Sequence, residues 1–127
     1  MLFRVPCWDV AGVWPRVAAC LQKALERQQE WRLADVYEQL LAQRMQLWVV
    51  PWDLAVVTQI QTYPGLRICM VVLCGGEGLQ AHKHEFDEIA RWAKGLACDE
   101  VRIQGRDGWQ RVYPKFEKTA ALLRMKL

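Results

Sequence analysis

Few residues in this chain are of types and spacings that could do chemistry. Gly75-Gly76-Glu77-Gly78 follows an apolar run and precedes a helical pattern. Glycines there let a backbone approach a ligand closely, and the amides at a helix start can cradle a phosphate or pyrophosphate. The same glycines suit a plain strand-to-helix turn equally well. Glu77 weighs against phosphate. A carboxylate near a helix start already interacts with the dipole, by ~0.3–1 kcal/mol, and would repel a pyrophosphate brought to the same place.

Tyr113 lies in GRDGWQRVYPKF, residues 105–116. It could protonate a leaving thiolate as a general acid. It also belongs to the stripe Trp109, Val112, Tyr113 and Phe116, the spacing that a short amphipathic helix presents to its core. His82 and His84 are two apart, so on a helix they point roughly 200° from each other and do not share a metal. They read as a solvated pair. Glu85, Asp87 and Glu88 crowd the first turns of the same helix, where acids favour the dipole, and read as a solvated face. The five cysteines, Cys7, Cys20, Cys69, Cys74 and Cys98, include no CxxC and sit mostly within apolar runs. They read as reduced thiols acting as small hydrophobes, and no metal site is expected.

The elements that position these groups come from a chain of 127 residues, the size of one domain over 1–127. The residues are 53% hydrophobic and 24% charged, a globular balance. The net charge of +3 is spread without a basic block, so nucleic acid is not an expected partner. Seven tryptophans are many for the length, and some of them suit a contact surface for a protein partner. The first residues, Met1 to Arg4, lack the pattern of a signal peptide, and the longest apolar run, Ile68 to Cys74, is too short for a bilayer. An intracellular, reducing setting is expected.

MLFRVP reads as a short strand ending at Pro6. Helical spacing predicts one helix from Trp14 to about Gln28, with Pro15 in its first turn, and a second from about Arg32 to Gln43. LWVV, LAVVTQIQTY and LRICMVVLC are three antiparallel strands joined by hairpins. The third is apolar on both faces and belongs inside a sheet covered by helices. A third helix is predicted from about Ala81 to Gly95, with a stripe at Phe86, Ile89, Ala90 and Ala93. EVRIQ is a strand, GWQRVY a short helical turn, and KTAALLRMKL a closing strand. The strand-helix-strand unit from Leu66 to Ile103 should be parallel, with ligands expected beyond the carboxyl ends of its strands.

The expected class is therefore α+β, layered α/β/α, with a mixed, mostly antiparallel sheet and one parallel strand-helix-strand unit. This order resembles the Gcn5-related N-acetyltransferase fold. LCGGEG, Leu73 to Gly78, stands where that family has Q/R-x-x-G-x-G/A. Gly76 and Gly78 match, Leu73 replaces the Gln or Arg, and Glu77 brings a negative charge. Arg106 holds the place of the family's Asn, Tyr113 fits its Tyr, and Phe116 follows without a glycine. RWAKGLACDEVRIQGRDGWQRVYPKF is similar to divergent acetyltransferase-like proteins of tailed bacteriophages.

The resemblance implies acetyl-CoA as a cofactor. Amides of Cys74, Gly75, Gly76 and Gly78 would lie on its pyrophosphate. A backbone amide near Met70 to Val72 would polarise the acetyl carbonyl, with Tyr113 as the acid. Glu77 is the nearest carboxylate, and no general base is evident. Three functions follow from it: a non-catalytic virion or binding component, an active N-acetyltransferase, or an inhibitor of a host protein. Phage structural or host proteins are the implied partners, and the bacterial cytoplasm or the virion the implied location.

Overall fold

The computed structural model describes residues 1–104, 109, 113–120 and 123–127. Its sheet runs in chain order: β1 (Phe3–Val5), β2 (Gln46–Val50), β3 (Leu54–Tyr63), β4 (Leu66–Gly76) and β5 (Glu100–Ile103). The first four strands are antiparallel, and β4 and β5 are parallel. Parallel neighbours need a crossover. It is made here by α3 (Leu79–His82), a 3-10 turn (Lys83–Glu85) and α4 (Phe86–Gly95). The helices α1 (Val10–Glu26) and α2 (Leu33–Leu41) cover the opposite face. The class is α+β with three layers, as the hydrophobic pattern predicts.

Successive strand residues point to opposite faces, so strands apolar at every position bury both. Leu47, Val49, Ala55 and Val57 pack with Val17, Leu21, Val36 and Leu40 of α1 and α2. Trp48, Val50, Leu54 and Val56 face the other way and pack with Phe86, Ile89 and Ala93 of α4. The alternation slips once, in β4. Val57 pairs with Leu73 and Thr58 with Val71, so Val72 is an extra residue, a β-bulge. Before it, Cys69 and Val71 face α4; after it, Leu73 faces α1.

Helix α1 begins at Val10, four residues before the position predicted from Trp14. The apolar stripe extends back through the buried Val10, so burial continues the helix and Pro15 lies inside it. The predicted third helix is broken into α3, the 3-10 turn and α4, and Ala90 of its predicted core stripe is exposed. The turn predicted over GWQRVY lies mostly outside the described residues; Trp109 is helical and its carbonyl accepts from the Tyr113 N–H at 2.9 Å. The closing strand is not formed by the described residues of 118–127. No helix among the described residues is long and apolar enough to cross a membrane.

One polar contact is sealed within the sheet. Thr58, 0% exposed, accepts from Trp48 Nε1 at 3.0 Å and donates to Gln46 Oε1 at 2.9 Å. Thr58→Val keeps the shape but strands both partners. It should cost about 1–3 kcal/mol in urea unfolding, whereas an unchanged midpoint would show that the bonds contribute nothing net.

Candidate functional site

The pairing of β4 with β5 ends at Val71 and Ile103. Beyond it, Val72 to Gly76 pair, among the described residues, with β3 alone, and that pairing continues to Leu54–Gly76. The β4 edge left open faces a cleft of about 920 Å³ between the sheet and α1. Val72, Cys74 and Gly75 line it from β4, Ile103 and Trp109 from the far side, and Cys20, Lys23 and Arg27 from α1. That volume lies within the range of small-molecule sites, and a strand bulge beside it re-aims the backbone toward the opening.

The glycine motif is built differently from a loop. Gly75 and Gly76 belong to β4, opposite Ala55 and Leu54, so only Glu77 and Gly78 connect strand to helix. A Cβ on Gly75 would stand 2.3 Å from the Cys20 carbonyl oxygen of α1. One on Gly76 would stand 2.1 Å from the Asp53 carbonyl oxygen, and its φ of +126° already requires glycine. The Gly78 N–H donates to that same Asp53 carbonyl at 3.0 Å. The close approaches that these glycines permit are therefore filled by the protein's own backbone. One of the amides that would face a pyrophosphate is committed to it, and Glu77 is exposed in the cleft wall. This does not fit a pyrophosphate cradle.

The β2–β3 turn that closes this corner also reaches α3. The Asp53 carboxylate lies 3.4 Å from His82 Nε2, while His82 Nδ1 is 2.8 Å from Glu85. Glu85 also meets the Met1 amino group at 2.9 Å. Burial pushes the Glu85 carboxyl up, but the Met1 amino group and the His82 hydrogen bond outweigh it and hold it below the usual range. His82 and Glu85 are thus partnered residues, not members of a solvated face; no spacing in the sequence announces a contact with a turn 29 residues away. His84 remains exposed. Among the described residues no group of three His, Cys, Asp or Glu is placed to hold a metal ion.

Tyr113 does not stand with the cleft-lining residues. It packs on Phe86 and Phe116, on the α4 side of the sheet, and its hydroxyl donates to Asp87. Burial first, and then the Asp87 carboxylate, push the phenol up to about 12. The Tyr113 hydroxyl and Lys115 at 3.0 Å hold the Asp87 carboxyl below its usual range. Asp87 is therefore tied into this packing. Met70 is paired between Gln59 of β3 and Arg102 of β5 and is part-buried, and Val72 is the residue of that pair that lines the cleft.

The cysteines are all free, with Cys69 buried and the others part-buried. Burial pushes the Cys74 thiol up to about 12 and, with the Asp53 charge second, raises Cys20. Neither offers a thiolate at neutral pH. The cleft's α1 wall, Cys20, Lys23 and Arg27, was not legible in the sequence. In the helix pattern these residues are merely its less apolar side, and only tertiary packing turns that side toward β4.

No protein-family model and no curated protein matches the chain. Solved structures do match it across nearly the whole length. A probable acetyltransferase superposes with a TM-score of 0.72 at 8% identity, over 100% of this chain and 96% of its own. A predicted acetyltransferase with acetyl-CoA from Clostridium acetobutylicum gives 0.68 at 13%, over 99% and 95%. The ribosomal-protein-alanine N-acetyltransferase from Brucella melitensis biovar Abortus 2308 gives 0.63 at 14%, over 99% of both chains. The fold is that of the acetyltransferases.

Two outcomes follow from these contacts. Gly75→Ala and Gly76→Ala should each lower the unfolding free energy of the ligand-free protein, by more than about 1–3 kcal/mol, because backbone must move to admit a Cβ. Glycines kept only for a ligand would leave that stability unchanged. Tyr113→Phe should cost about 0.5–1 kcal/mol at neutral pH, discounted for the solvent reaching Asp87. Asp87 is held low in the folded state, so its stabilisation is full above the unfolded carboxylate range. It is lost as pH falls through the lowered value, and the gap between the two proteins in urea titrations should close there.

Proposed function

We propose that the chain is a divergent acetyltransferase-fold protein of the tailed-phage type that serves as a binding component, in a virion or on a host protein, without transferring acetyl groups. The observation that carries this is the filled glycine corner. Gly75 and Gly76 hold Cys20 and Asp53 of the same chain at distances no side chain tolerates, and the Gly78 amide is taken by Asp53. The position of Tyr113, bonded to Asp87 on the α4 side, supports the same conclusion, since a general acid has to reach its leaving group. Trp8, 80% exposed, suits a contact with a protein partner.

A second reading, an acetyl-CoA-dependent N-acetyltransferase, is favoured by the cleft itself. The open β4 edge with its bulge at Val72 is where the thioester arm of an acyl-CoA could lie, and one structural neighbour is a predicted acetyltransferase with acetyl-CoA. Among the described residues the glycine corner does not fit a pyrophosphate and Tyr113 is not among those lining the cleft, so no transfer step is assigned to them.

Isothermal calorimetry with acetyl-CoA separates the two. The binding-component reading expects no heat up to about 1 mM ligand, that is, an affinity weaker than about −4 kcal/mol. Micromolar binding, together with release of free thiol in the presence of an amine, would replace it with the enzyme.

A further inference from the structure

The two ring nitrogens of His82 face two different carboxylates. Nδ1 lies 2.8 Å from Glu85 Oε2, and Nε2 lies 3.4 Å from Asp53 Oδ2. A carboxylate only accepts, and a neutral imidazole carries one N–H and one lone pair. Both contacts are attractive at once only for the imidazolium, which has an N–H at each nitrogen. In the neutral ring one nitrogen turns its lone pair on a carboxylate, and the surroundings decide which. The Glu85 side chain is 12% exposed, and its Oε2 is buried with no other hydrogen-bond partner among the described residues. The Asp53 side chain is 63% exposed. Water solvates Asp53 readily and reaches Glu85 poorly, so the remaining proton stays on Nδ1 and the Asp53 contact is given up.

Asp53 is also the residue that fills the glycine corner. Its carbonyl oxygen stands against Gly76 and accepts from the Gly78 N–H at 3.0 Å. Among the described residues two polar contacts tie its turn to the crossover: that bond, and the His82 ring on its carboxylate. We propose that His82 is a proton-operated latch on this corner: its imidazolium clasps Asp53 and Glu85 together, and loss of one proton lets the β2–β3 turn lift from the crossover and frees the Gly78 amide. Histidine changes charge between about pH 5 and 8, where carboxylates stay ionised. The contact is therefore full at the acid end and is lost as pH rises. Four groups bear on the ring from the elements around it. Glu85 and Asp53 meet it directly, and the Met1 amino group meets Glu85 at 2.9 Å. The Cys20 thiol of α1, raised by burial and then by Asp53, stays neutral. Lys83 and His84, its neighbours in the 3-10 turn, are exposed.

Amide hydrogen exchange of the full chain tests the latch. The readout is the protection of the Gly78 amide, the ratio of its intrinsic to its observed rate, at acid and at neutral pH. From about pH 5 to about pH 7.5 that protection should fall roughly three-fold, the scale of one partly exposed charged contact. Protection of Val56 and Val57, inside the sheet, should change by less than about two-fold. Asp53→Asn sets an N–H donor opposite the neutral ring and should remove the fall. His82→Gln, uncharged at every pH, should remove it too, whereas His84→Gln should keep it. Gly78 protection that is flat or rises with pH in the wild type overturns the proposal. So does a fall that survives in Asp53→Asn or His82→Gln. Loss of the fall in His84→Gln overturns it as well, since the exposed ring would then be the titrating group. A fall shared by Val56 and Val57 does the same, because the whole fold and not the corner would be responding.

Discussion

The phase slip at Val72 is the constraint on which the rest of the site depends. A regular β4 would send each side chain to a fixed face along its whole length. With one residue inserted, Cys69 and Val71 serve the α4 layer while Leu73 serves the α1 layer. The strand can then satisfy two cores in sequence. Among the described residues Val72 to Gly76 pair with β3 alone, and α1 lines the cleft beside them. Cleft, bulge and two-sided core are thus one arrangement seen from three sides.

The near approach of α1 to this strand has its own requirement. At Gly75 the helix backbone lies where a side chain would be, and at Gly76 the β2–β3 turn does the same. Packing at this density leaves no slack for even one methyl group without movement elsewhere. The corner is stiff and self-contained. A shared architecture hosts sites of different chemistry, and the residues at the site decide which.

The polar groups of the crossover follow the same economy. Asp53, His82 and Glu85 tie the β2–β3 turn to the start of the crossover, and Asp87 ties α4 to Tyr113. Their local spacing resembles acids clustered at a helix start, which is a surface pattern in most helices. Apart from the i,i+3 pair of His82 with Glu85, their partners come from other parts of the chain, and spacing along the sequence carries no sign of those.

The sequence by itself determined the layers. Apolar runs at period two, interrupted by Pro51-Trp52-Asp53 and Pro64-Gly65, are enough to define β2, β3 and β4. The 3.6 period defines α1 and α2, because burying a face is a local property of each element. It also held both meanings of Tyr113 and of the glycines open, and could not choose between them. The choice rests on whether Cys20 and Asp53 stand against β4 and whether Asp87 stands against Tyr113. Those are contacts between segments far apart in the chain. Only tertiary packing brings them together, and it sets the glycines against Cys20 and Asp53 and Tyr113 against Asp87.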